Sequence, residues 1–521
     1  MISALTWVPK GASRQMPEKH KMTDEELTMM QEMVMENEEQ EADNKVLEDI
    51  PEDEISDLPA SFHMETYDEE ENDIAIKSCI GSSLEEDKQL SDEEITDQDM
   101  QDDEEIDVSR LKLDEEDEKD LELDREDLEI RPNDIVILVA NTEDDFSNLE
   151  VQIYDEENGS LYVHHEINLP DFPLCLSWMD FNPVPADPTK ELESGSFVAV
   201  GTFKPGIEIW NLDILDVLEP SAILGGEEES MRKNVMPKVS SKKDRQIRLR
   251  HGSHTDAVMS LDWNHTHRNM LVSGSADHTV KVWDILTQNC LHTMQHHTNK
   301  VQCVRWNPSE TTVLATASFD HRLLVLDGRH PDAFSSFPLS ADVESIAWAP
   351  YQPNKLVAAT EDGVVVCYDV RMNASEPLTR FQAHAGTVSA VSFAAQIPGM
   401  FATAGIDKTV KIWDLLHFDK EPKCIATKEM NVGGLYAMSF CIDTPFLLGC
   451  GGASGTLALW ESSEKCVIEE HFQSRVQKNQ QASVLAAAKV GEIAATLHAV
   501  DTQASTKQKK KKPKKKRSSQ E

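Results

Sequence analysis

No apolar run in the 521-residue chain is long enough to cross a bilayer as a helix. The opening "MISALTWVPKGAS" lacks the basic head and long apolar stretch of a signal peptide, so no membrane partner is expected. The nine cysteines are scattered, with no CxxC pair and no tight framework, which excludes a zinc ribbon and a disulfide scaffold and points to a reducing, intracellular compartment. Catalytic signatures are also missing: there is no GxxxxGK[ST] loop, no HExxH and no GxSxG elbow. The "HH" pairs at His164 and His296 have no partners at ligand spacing. Neither an enzyme, a metal, a cofactor nor a small-molecule substrate is expected. Aromatic residues make up only 6%, yet nine of them are tryptophan, and these recur with a period.

"SGSADHTVKVWDIL" at 273–286 is written again almost unchanged as "TAGIDKTVKIWDLL" at 403–416. The closing phrase recurs at Trp283, Leu326, Tyr368, Trp413 and Trp460, in steps of 43, 42, 45 and 47 residues. That matches the blade length of a propeller, about 40 to 45 residues. Some twenty residues upstream of each lies a second phrase ending in an aromatic: "VMSLDWN", "VQCVRWNP", "VESIAWAP", "VSAVSFA" and "LYAMSFC". The segments alternate apolar and polar residues, are rich in Val, Ile and Thr, and are split by "SAD", "SFD", "EDG" and "GID" turns, as antiparallel strands should be. A lone four-stranded sheet cannot bury both faces, so successive blades must pack around an axis.

These phrases resemble the WD40 β-propeller from about residue 174 to 472. The expected fold is all-β, with seven blades. "CLSWMDFNP" and "VAVGTFKPGIEIWN" make a further blade around Trp178 and Trp210, stretched by a loop at 184–196. The first blade is expected to be split: "ISALTWVPKG" supplies its innermost strand, and "DIVILVAN", "LEVQIYDE" and "LYVHHEI" supply the others after Pro132. The last blade is then expected to close with its own strand "CVIEEHF". Tryptophans on a surface would suggest base stacking, but each is expected to fill the same core position in its blade.

His254, Ser273, Asp277 and Trp283 contain the ingredients of a hydrolase triad. The resemblance implies instead a structural tetrad, repeated as His384, Thr403, Asp407 and Trp413, and as His297, Thr316 and Asp320 with Leu326 in place of Trp. A catalytic site would not be copied into several blades.

The charge is as uneven as the tryptophans are regular. The formal net charge is -46, yet the chain ends in a lysine-rich run. Residues 14–131, after a first strand at 1–13, are expected to be an acidic disordered insertion, because dense Asp and Glu self-repel and bury too little to order. Within it, "TDEELTMMQEMVMENEE" offers Thr23 and Glu26 as a helix start and an apolar stripe of Leu27, Met30, Met33 and Val34. Ser91 and Thr96 stand in acidic contexts suited to a casein-kinase-type enzyme. The propeller is expected over 132–472 with a basic loop at 227–250, followed by a helical extension at 473–506 with Ser483 as a candidate cap. The tail at 507–521 (Lys509, Lys510, Lys511, Lys512, Lys514, Lys515, Lys516 and Arg517) reads as a nuclear or nucleolar address. In a WD40 blade order, the basic loop and the tail would leave one face and the acidic insertion the other.

The whole layout is similar to the family of periodic tryptophan proteins, first type. That resemblance implies a chromatin-associated, non-enzymatic nucleolar factor supporting ribosomal RNA synthesis and ribosome production. The partners to expect are histones and chromatin, or the rRNA transcription machinery. A pre-ribosome assembly factor bound to pre-ribosomal proteins would need the same address and acidic arm. Arg329 in "LDGR" and Arg371 in "YDVR" approximate the W-D-x-R phrase of cullin ubiquitin ligase substrate receptors, a third and weaker reading.

Overall fold

A computed structural model describes residues 1–19, 128–143, 146–184, 194–228, 248–372 and 376–476. Within them the strands form seven successive antiparallel sheets, and the innermost strand of each touches that of the next until the ring closes from the last sheet to the first. This is a seven-bladed β-propeller.

Blade 1 is the split one. Its innermost strand, Ile2–Val8, pairs with Ile135–Thr142, which pairs with Ser147–Asp155, which pairs with Ser160–Leu169. Alternation explains the pairing: Ile135, Ile137 and Val139 bury one face and Val136, Leu138 and Ala140 the other, so this segment can only be an inner strand of a two-sided core. The ordered chain continues beyond residue 13, because Glu18–Lys19 adds in parallel to Ile214–Leu215 of blade 2. The start of the segment expected to be disordered thus lies along the propeller.

Blades 2 to 6 each have four strands, and the outermost strand of blade 2 is shortened to Ala222–Gly225. Blade 7 has three described strands: Leu435–Phe440, Leu447–Gly452 and Leu457–Glu461. Here the sequence expectation fails, because "CVIEEHF" belongs to a helix over 466–476. Ile468, Phe472 and Val476 recur every fourth residue and are buried against Trp460, Phe446 and Leu448, whereas Val467 is exposed. A period near 3.6 selects a helix over a strand. The helix is held on blade 6 by Asp414, whose carboxylate accepts two bonds from Arg475 (2.8 and 2.6 Å) and one from His471 Nε2 (2.7 Å).

Closure of the ring rests on small residues in blade 7. A Cβ on Gly451 would overlap Ile2, so the first strand can sit this close only because that position is glycine. Trp7 Nε1 donates to the Ser439 carbonyl at 3.3 Å, and Glu156 of blade 1 takes both Lys10 Nζ (2.8 Å) and Thr444 Oγ1 (2.7 Å).

Candidate functional site

The nine tryptophans occupy two positions, where one was expected. Trp210, Trp283, Trp413 and Trp460 end the third strands and lie in the core, while Trp7, Trp178, Trp263, Trp306 and Trp348 end the innermost strands around the lower end of the axial channel.

The expected tetrads come together. His254 Nδ1 lies 2.9 Å from Asp277, and its Nε2 lies 2.7 Å from Ser273 Oγ, which also accepts the indole N–H of Trp283 at 2.8 Å. His384 makes the same bonds to Asp407 (3.0 Å) and Thr403 (2.8 Å), with Trp413 donating to Thr403 at 3.0 Å. In blade 4, His297 joins Asp320 (3.0 Å) and Thr316 (2.8 Å), and Leu326 supplies no donor. Burial first, against the pull of Asp277, holds the His254 pKa below its ordinary value. A neutral ring that gives Nδ1–H to the aspartate leaves Nε2 to accept the serine proton. Ser273 is fully buried, its proton given to His254 and its oxygen accepting from Trp283, so no substrate carbonyl can reach it. These residues act as scaffold.

What the blades present to a partner is set by a defect in pairing. In all seven innermost strands the register slips between the first and third residue: Ile2/Ala4, Pro173/Cys175, Val258/Ser260, Val301/Cys303, Val343/Ser345, Val388/Ala390 and Leu435/Ala437. Such a bulge re-aims the side chain between them. The seven residues concerned, Ser3, Leu174, Met259, Gln302, Glu344, Ser389 and Tyr436, all line one cavity of about 360 Å³ at the upper mouth of the channel. The third position is Ala, Cys or Ser in every blade, which leaves the mouth open.

The ring is asymmetric. Leu174 and Met259, with Phe172 beside them, make an apolar arc, and Gln302, Glu344 and Ser389 make a polar one; Tyr436 stands between, 41% exposed. Glu344 is the one carboxylate among the lining residues. Burial, then the neighbouring Glu361 and Asp342 carboxylates, raise its pKa, and Gln302 Nε2 donates to it at 3.4 Å. Gln302 Oε1 is buried with no partner among the described residues. Arg305 also lines the cavity, with its guanidinium held by the carbonyls of Leu261 (3.1 Å) and Val304 (3.2 Å), 3.6 Å from Asp262. Sequence reasoning missed this ring; its signal is the residue before the small third position of each innermost strand, where four of the seven strands begin with Val.

Ser91, Thr96, Ser483, the possible helix at Thr23 and the lysine tail lie outside the described residues. Arg329 and Arg371 both turn back onto their own aspartates, Asp327 (2.6 Å) and Asp369 (3.0 Å). The His164 and His165 rings meet each other at 2.8 Å, and His296 Nε2 bonds the Pro331 carbonyl at 2.8 Å.

Two chain exits lie within the described residues, and that of the lysine-rich tail lies outside them. The basic loop leaves the upper face, bridged at its base by Glu227 and Leu249, and the acidic segment leaves the lower face after Lys19. The helix that replaces the closing strand runs along the lower side, where Arg475 bonds the Pro398 carbonyl and Asp414.

A propeller with this tetrad is a WD40-repeat protein, and the sequence profile described as WD domain, G-beta repeat matches residues 244–284, 288–327 and 375–414. An uncharacterised WD repeat-containing protein of Schizosaccharomyces pombe is 42% identical over 357 residues, which is 68% of this chain and 66% of the relative, just under two thirds of its length. Periodic tryptophan protein 1 of Saccharomyces cerevisiae is 29% identical over 94% of this chain and 93% of its own length. Its Drosophila melanogaster homolog is also 29% identical, over 87% and 91%. The chain belongs to the periodic tryptophan protein 1 family of WD-repeat proteins.

Proposed function

We propose that this chain is a non-enzymatic, chromatin-associated scaffold of the nucleus and nucleolus. It supports ribosomal RNA transcription and ribosome biogenesis by holding basic proteins, histones first among them. The observation that carries this reading is the upper channel mouth. Its apolar arc suits the aliphatic stem of a lysine, and Glu344 beside Gln302 suits the ammonium head. The acidic composition of residues 14–131 adds long-range attraction for the same class of partner, and the lysine-rich tail adds a nuclear address.

The test is affinity purification from nuclear extract of the full chain and of a chain lacking residues 22–129, each with and without RNase. Histones or RNA polymerase subunits that survive RNase and depend on the acidic segment support the proposal. Pre-ribosomal proteins that vanish with RNase would replace it with the assembly-factor reading, which the same charge layout favours.

A further inference from the structure

One position repeats with a single gap. In six of the seven blades the residue after the acidic or amide end of the third strand donates its backbone N–H to a carbonyl near the start of the second: Leu212 to Ser196, Ile285 to Asn269, Gly328 to Thr312, Val370 to Asn354, Leu415 to Gly399 and Ser462 to Phe446, all at 2.8 to 2.9 Å. Leu212, Ile285 and Leu415 are buried there and Val370 is half-buried. Blade 4 has no side chain at this point. Two residues earlier it also has Leu326 where four other blades have tryptophan. Between blades 3 and 4 an apolar cavity of about 470 Å³ opens, walled by Met270, Val282 and Leu291 on one side and by Trp306 and Gly328 on the other. Leu291 is 45% exposed.

We infer that this cavity is a docking site for a protein segment carrying a bulky apolar side chain, such as phenylalanine, flanked by carboxylates. The walls set the first requirement, since the space is what an apolar side chain fills in the neighbouring blades. The rim sets the second. Its ionisable groups are Arg329, His267 and His292, with no carboxylate among the lining residues. Arg329 is 67% exposed; its Nε and Nη2 engage Asp327, and Nη1 has no partner among the described residues. The negative charge of the whole chain acts against an acidic ligand, but beyond about 10 Å salt screens it and the rim decides. This site is on the opposite side of the propeller from the channel mouth and does not depend on the function proposed above.

The probe is a fluorescein-labelled peptide, Asp-Glu-Phe-Asp-Glu, titrated by anisotropy against the full chain. Gly328→Val places a side chain in the gap; its Cβ meets Trp306 at 3.3 Å and the Thr312 carbonyl at 3.5 Å and is accommodated by a slight shift of the indole. It is expected to weaken binding by about 10-fold or more, from the apolar area it denies the ligand. Leu291→Asp, on the exposed wall, is expected to do the same without touching the core. Arg329→Ala is expected to cost roughly 3-fold, as a rim charge does. A peptide with Ala in place of Phe is expected not to bind, and one with Lys flanks to bind more weakly. Unchanged affinity in the Gly328→Val and Leu291→Asp variants, equal binding of the Lys-flanked peptide, or no saturable binding would overturn the inference. A chain lacking residues 22–129 that binds about 10-fold tighter would assign the cavity to the chain's own acidic segment and overturn the partner in trans.

Discussion

Ser273 Oγ sits at the centre of the best-formed tetrad, bonded both to His254 and to Trp283. Removing it leaves two buried polar groups unpaired, each worth about 1 to 3 kcal/mol. Ser273→Ala is therefore expected to lower the unfolding free energy by roughly 2 to 4 kcal/mol, read by chemical denaturation. An unchanged midpoint would mean the tetrad does not contribute to stability. Gly328 shows the converse at the same scale: a position where the missing atom, and not a present one, shapes the surface. The tetrads were legible through the WD40 resemblance, whose His, Ser or Thr, and Asp positions recur in three blades of this chain. The bulged ring was not, because Ser, Leu, Met, Gln, Glu and Tyr share no chemistry there and only the strand register unites them.

At the scale of the element, the helix over 466–476 closes blade 7 where a fourth strand was expected. Phe472 is fully buried, and Phe472→Ala is expected to cost about 3 to 5 kcal/mol, as large-to-small changes at buried aromatics do. The polar side of the helix has its own signature in acid. Burial alone would raise the Asp414 pKa, but bonds from Arg475 and His471 bring it down to about 2 from 3.8. A carboxylate depressed in the folded state stabilises above its unfolded pKa and loses that contribution as pH falls from about 4 through about 2. Stability at neutral pH is expected to fall by about 2 kcal/mol in Arg475→Ala, on the order of the shift in Asp414. The variant should also show a weaker loss of stability between pH 4 and 2 than the unaltered chain; an identical acid profile would contradict the pairing. The sequence misled here because "CVIEEHF" is short and its neighbours set the expectation of a strand. Carrying the window on to Val476 exposes the fourfold spacing of Ile468, Phe472 and Val476.

For the whole molecule, seven blades and the split first blade could be read from the recurring phrases, since each must bury the same two faces. Local charge on the propeller also diverges from the net value: a mouth with one carboxylate opens above, and a cavity rimmed by Arg329 opens below. The central claim is that the upper mouth receives a basic side chain through Glu344. Its most direct test is a titration of purified core histones, at an ionic strength of about 0.15 M, against the full chain, Glu344→Lys, and the same two forms lacking residues 22–129. Glu344→Lys is expected to weaken binding by roughly 10-fold or more with or without the acidic segment, because it puts a like charge at a half-buried pairing position. Equal affinity of the Glu344→Lys and unaltered forms in both backgrounds would contradict it, leaving the propeller mouth without a part in holding the partner.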